Sequence, residues 1–295
     1  MFLSSFEKDI GLTLTWSRCR NESRIVRQLI LIIISLTLIF TFLTNCQAED
    51  EHFPLSTDQL VVLDYAINSD PDRSAVYFST VRKVQLEVVY EEGAAPETGM
   101  LLSVQDIWDI TQVNLEKVFA TRDYAVHVEV PKEPSSDMRE IPSQGKREWT
   151  SVDLVSFANT FRTKNSNFEE TVFFVAFVRG KLQGSNGGVI GSTYSGFLGL
   201  GAPVVFIFKD VIETFPRASR KNAEQRTVVH ELGHALGLVN SGIPMTSEHQ
   251  DVARGAHCTN EKCAMYYSVN LRKIDTESPY LYGPECYQDI KEFRP

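Results

Sequence analysis

His230, Glu231 and His234 fall within five consecutive positions of the stretch HELGHALGLVN, residues 230–240. On a helix, side chains four apart lie on one face about a turn apart, so His230 and His234 can present two ring nitrogens to one ion. Glu231, one position on, would stand beside such an ion rather than on it. A carboxylate there can take a proton from an activated water and later give it to a leaving group. Structural zinc sites favour cysteine and need no carboxylate base, so this spacing points to hydrolytic catalysis. The third ligand is less plain. Asn240, six residues after His234, offers an amide oxygen, a weak zinc ligand beside imidazole. His249 and His257 are the other histidines near the motif.

These residues need a rigid frame. A helix over about 219–238 carries the motif, and Gly237 suits a left-handed exit from it. Upstream, strand and helix patterns alternate. KVQLEVVY (83–90) and YAVHVEV (124–130) have strand-like apolar spacing, and TVFFVAFV (171–178) is apolar throughout, as a buried central strand would be. PVVFIF (203–208) reads as a further strand. Residues 103–120, with Ser103 as N-cap, and residues 151–162 have helical spacing. Seven glycines between Gly184 and Gly201 describe a loop leading to an exposed strand; the Gly-Lys-Ser/Thr ending of a phosphate loop is lacking. This order predicts an α/β fold: a mixed, mostly parallel twisted sheet, an active-site helix and a small C-terminal subdomain. The Gly-rich region and strand 203–208 would line the cleft.

From His230 onward the chain resembles the metzincin metallopeptidases, whose signature matches at His230, Glu231, His234 and Gly237. HCTNEKCAMYY (257–267) is similar to the archaemetzincin branch, in which a third histidine is followed by a cysteine, then a second cysteine and the turn methionine. The resemblance implies His257 as third zinc ligand, with Cys258, Cys263 and Met265 in the matching places. Residues 238–256 are an insertion that the pattern lacks, and they leave His249 as the alternative third ligand. Met265 would floor the site beneath the zinc histidines, and Tyr267 would donate a hydrogen bond to the oxyanion. The implied activity is peptide-bond hydrolysis on a peptide or protein substrate by a zinc-activated water, with Glu231 as general base and acid. Acidic residues of the insertion, Glu248 and Asp251, leave open an aminopeptidase that grips a free amine. A non-catalytic, zinc-stabilised binding or adhesion lipoprotein is the alternative, against which Glu231 speaks.

The resemblance further implies a second, structural zinc on Cys258, Cys263 and Cys286. There CYQD (286–289) offers Asp289 where the pattern has a fourth cysteine. Three thiolates and a carboxylate can form a tetrahedral site. A disulfide among the three cysteines is the rival outside the cytoplasm.

The chain has 295 residues and a net charge of −9, with the acidic excess beyond residue 45, which argues against nucleic acid as partner. Residues 29–43 form an uncharged apolar run preceded by Arg18, Arg20, Arg24 and Arg27. Fifteen residues suit a signal-peptide core better than a membrane span. The run ends in LTNC, similar to a lipobox that would place lipid on Cys46; an uncleaved membrane anchor is the alternative. Residues 1–46 are thus a signal peptide or anchor, 47–82 a tether and connecting segment, and 83–295 the metallopeptidase domain. The bulk of the chain is expected on the membrane surface, outside the cytoplasm.

Overall fold

A computed structural model describes residues 57–101, 105–186, 188–194, 201–269 and 279–295. The expected signal or anchor segment, including Cys46, lies outside the described residues. Among the described residues no helix is long and apolar enough to cross a membrane. The chain divides into two units, Met1–Ser69 and Asp70–Pro295. In the first, residues Thr57–Asn68 form a helix. The rest of the fold belongs to the second unit.

Its frame is a six-stranded, mostly parallel sheet flanked by helices. In chain order the main elements are β1 (Lys83–Glu91), α1 (Asp109–Phe119), β2 (His127–Glu129), β3 (Arg139–Ile141), α2 (Ser151–Phe161), β4 (Glu170–Val178), β5 (Gly191–Tyr194), β6 (Val204–Phe208), α3 (Arg217–Leu236) and α4 (Pro284–Glu292). The spatial order is β2-β1-β4-β6-β5, and β3 pairs further along β1. Every pairing is parallel except β5 with β6, so β5 is an antiparallel edge strand.

Strand alternation sends two sets of side chains to opposite faces. Leu86, Phe173, Val175, Val205 and Ile207 join one core with Leu115 of α1 and Val228 and Leu232 of α3. Phe174, Ala176, Phe206 and Phe208 join the other with Leu154 and Phe157 of α2. Covered on both faces, β4 and β6 read as unbroken apolar runs. β1 instead carries Gln85 and Glu87 inward, both buried. Buried carboxylates are costly unless hydrogen-bonded. Glu87 accepts from the backbone of Thr163 and Lys164 and from the Thr163 hydroxyl.

The sequence places most elements within two residues of their positions, with instructive exceptions. The expected cap Ser103 lies outside the described residues, and the helix begins at Asp109, because residues 105–106 pair antiparallel with 100–101. Tyr77, Phe78 and Val81, in the expected connecting segment, are buried in the α1/α3 core, so the compact unit starts near Asp70. At the other end, Cys286 and Ile290 of α4 belong to the same hydrophobic cluster as α3.

Candidate metal centre

The 20-residue helix α3 sets the motif. The helix starts after Pro216 without a side-chain cap and stops at Gly237, whose φ of 91° turns the chain left-handed. The amides of Gly237 and Leu238 close onto the carbonyls of His234 and Gly233. The next turn holds Val239 and Asn240 at φ values of 54° and 59°. Asn240 is exposed there and lies outside the cleft, so its role is in the turn, where asparagine tolerates positive φ.

That turn and the ribbon after it bring His257 to the helix. One ring nitrogen each from His230, His234 and His257 falls within 4.8 Å of the others. His230 Nε2 and His234 Nε2 are 3.1 Å apart, near the spacing of two imidazoles about 2.0–2.1 Å from one tetrahedral ion. His230 Nδ1 lies 2.6 Å from the Ala264 carbonyl oxygen and His257 Nδ1 lies 2.6 Å from that of Arg254. Each carbonyl accepts the Nδ1–H, which fixes the tautomer and leaves Nε2 free as a donor to metal. Burial pushes the pKa of all three imidazoles down, favouring the neutral form that ligates. The donor set, three neutral imidazoles in an open cleft, suits a catalytic zinc.

Glu231 is buried beside this cluster, and burial pushes its carboxyl up to about 7. Thr193 of β5 holds it: the hydroxyl lies 2.7 Å from Glu231 Oε2 and 2.9 Å from the Glu231 carbonyl oxygen. The strand can approach this closely because residue 191 is glycine. A Cβ there would stand 2.6 Å from Thr227 Cγ2 and 2.9 Å from Glu231 Cγ. Beneath the histidines, Met265 is fully buried. A Cβ on Gly233 would come within 2.2 Å of Met265 Sδ, so an alanine at 233 would displace the methionine.

The cluster opens into a cleft of about 680 Å³. Besides the three histidines and Glu231, residues 188–193, Phe215, Thr227, Ser241 and residues 266–269 line it. Tyr267 is 40% exposed, with the Arg254 guanidinium 4.0 Å from its ring centre. Strand β6, expected at the cleft, lies inside the sheet between β4 and β5 and does not line it. Neither Glu248 nor Asp251 lines it either; among the described residues Glu231 is the acidic group in the wall. Thr193 and Gly191 were not singled out from the sequence. Their signal was only the Gly-rich approach to an exposed strand, which names no residue.

His249 stands elsewhere, in a second cluster with Cys258, Cys263 and Cys286. The three thiols are free and buried, and Cys263 Sγ is 3.6 Å from Cys286 Sγ. Backbone amides point at the sulfurs: Gly283 N lies 3.0 Å and Met265 N 3.4 Å from Cys263 Sγ, and Asn260 N lies 3.4 Å from Cys258 Sγ. Hydrogen bonds from the other two thiols favour the thiolate at Cys258. Asp289 does not sit among the sulfurs as a donor. Its Oδ1 accepts from Thr246 N and Oγ1, at 2.7 and 2.8 Å, and its Oδ2 is 2.6 Å from His249 Nε2. Both oxygens are thus committed, which corrects the expectation of Asp289 as fourth ligand.

Over a limited span the chain is similar to proteins named archaemetzincin. It is 32% identical over 95 residues to one from Pyrobaculum aerophilum, covering 31% of this chain and 48% of that one. It is 33% identical over 66 residues to those of two strains of Halobacterium salinarum, covering 22% of this chain and 28% of theirs. The chain therefore spans about half or less of the length of the curated relatives it matches. No family model matches the chain, and no solved structure matches it.

Proposed function

We propose that this protein is a zinc-dependent metallopeptidase whose ion is held by His230, His234 and His257. One observation carries the reading: three imidazoles, His230 and His257 with their tautomers fixed by backbone carbonyls, converge in the lining of an open cleft with a buried, hydrogen-bonded carboxylate beside them. The similarity to archaemetzincins supports it. A zinc ion there would supply Lewis acidity, polarising a carbonyl and bringing a water's pKa to about 7.

The chain's own residues supply the rest. Glu231 takes the proton of the attacking water and hands it to the leaving amine, and Thr193 keeps Oε2 at its post. Low dielectric around Glu231 raises its affinity for that proton, so the carboxyl can hold it between the two transfers. Strand β5 has no partner on its outer edge among the described residues, and an extended peptide can add to it by backbone hydrogen bonds. Tyr267, in the cleft lining, offers its hydroxyl to the developing oxyanion. With no acidic residue but Glu231 in the described walls, nothing there captures a free amine, which favours cleavage within chains over an aminopeptidase. The apolar run and Cys46 would tether the enzyme to the membrane, outside the cytoplasm.

The test is cleavage of casein or a mixed peptide library by the zinc-loaded protein and by Glu231→Gln. Cleavage that falls about 10²–10⁴-fold in the variant, with zinc retained, supports the reading. Cleavage by neither, with zinc bound by both, turns the reading to a zinc-stabilised binding protein.

A further inference from the structure

The resemblance implies a zinc ion on Cys258, Cys263 and Cys286; we infer that its fourth donor is His249 Nδ1 in place of Asp289, and that this ion fixes the ribbon carrying His257. The inference stands apart from what the histidine cluster catalyses. The nitrogen donor comes from the segment between Gly237 and His257, not from α4.

Three features of the cluster point to a ligand. His249 is 4% exposed, and its Nδ1 is buried with no hydrogen-bond partner. A ring nitrogen of His249 and the sulfurs of Cys258 and Cys286 lie within 4.8 Å of one another. With Nε2 engaged by Asp289, the nitrogen free to ligate is Nδ1. The 3.6 Å between Cys263 Sγ and Cys286 Sγ matches donors about 2.3 Å from one tetrahedral centre, which stand about 3.8 Å apart. Amides aimed at Cys258 and Cys263 stabilise thiolates, the form that binds metal. A carboxylate holding the far nitrogen of a ligating histidine is the usual way of orienting the ring. Asp289 does this while Thr246 holds Asp289 in turn.

The cluster also bears on the open site. The segments that carry His249 and Cys258 pair by backbone: Thr259 N donates to the His249 carbonyl at 2.8 Å, and Gln250 bridges Cys258. Asp251 N donates to the His257 carbonyl at 2.7 Å. His257 is therefore held in a ribbon whose two strands both end on the second ion, and loss of that ion loosens the third imidazole.

The experiment counts ions per chain in the full-length protein loaded with zinc alone and dialysed. Wild type is expected to hold two and His234→Ala one. X-ray absorption on the zinc of His234→Ala should then show three sulfurs near 2.3 Å and one imidazole nitrogen near 2.0–2.1 Å. His249→Ala and Cys286→Ser should each lose the sealed ion, and Asp289→Asn should keep it with affinity lowered about 10–100-fold. In His249→Ala a chelator should strip the remaining ion at least about tenfold faster than it strips that ion from wild type; an equal rate overturns the link to His257. Oxygen in place of imidazole in the absorption spectrum, or ion loss in Asp289→Asn but not in His249→Ala, overturns the donor assignment. The spectrum needs no cysteine variant, so a misfolded Cys286→Ser leaves the test decided. A single ion lost in His234→Ala and kept in Cys286→Ser overturns this inference and spares the peptidase reading. The reverse pattern does the opposite.

Discussion

The two clusters share one ribbon yet differ in everything that decides what a metal can do. His257 and Cys258 are neighbours in sequence, and each serves a different cluster. The first cluster is nitrogen-only, half-buried and open to a 680 Å³ cleft, with a carboxylate beside it. The second is rich in sulfur and fully buried, with no proton-transfer group facing a cleft. Soft, closed donor sets build structure, and open imidazole sets leave a place for water and substrate. A single peptide bond thus separates an open, nitrogen-only donor set from a closed, sulfur-rich one.

The largest expected effect falls on the open site alone. Glu231→Gln should lower peptide cleavage about 10²–10⁴-fold while both ions stay bound, as read by turnover and metal content on the same sample. Loss of either ion in this variant would blur the contrast.

A second effect separates the clusters by pH. In metal-free protein the Glu231 carboxyl is pushed up to about 7 from 4.5 by burial. A group whose folded pKa is raised stabilises the fold below its unfolded pKa, and that contribution is lost as pH rises through the folded one. Wild type should therefore lose up to about 3 kcal/mol relative to Glu231→Gln between pH 4.5 and 7. Denaturant unfolding at both pH values, with chelator present, measures it.

Gly233→Ala tests the fit of Met265 against the motif helix. The new Cβ meets Met265 Sδ, and overpacking of this kind costs about 1–3 kcal/mol. A fall of the melting temperature by several degrees is expected; an unchanged one would mean that Met265 moves freely. The smallest effect concerns the hydroxyl behind Glu231. Thr193→Val should lower kcat about tenfold, or about 1.4 kcal/mol, with KM and zinc content unchanged. Thr193→Ser should restore the rate, since it keeps the oxygen.

The clusters also differ in how legible they were. His230, Glu231 and His234 lie one helical turn apart, and helical geometry alone brings them together. The sheet's centre was equally plain, because β4 and β6 are covered on both faces and need apolar side chains at every position. His257 was reachable only through a resemblance, since the 22 residues that separate it from His234 carry no period. Thr193 gave no sign, because its importance arises from an edge strand crossing α3 at a glycine. The placement of Asp289 was invisible for another reason. Either His249 or Asp289 could ligate zinc by type, and only the fold shows Asp289 hydrogen-bonded to Thr246 and His249. The late start of α1 follows from the pairing of residues 100–101 with 105–106, which competes with the helical pattern.

The most direct test of the central claim is the zinc content and peptide cleavage of full-length His257→Ala beside His249→Ala. With His257 as third ligand of the open site, His257→Ala loses that ion and all cleavage while keeping the sealed one. His249→Ala loses the sealed ion first and retains cleavage while the open site stays loaded. Full zinc content and undiminished cleavage in His257→Ala would contradict the account.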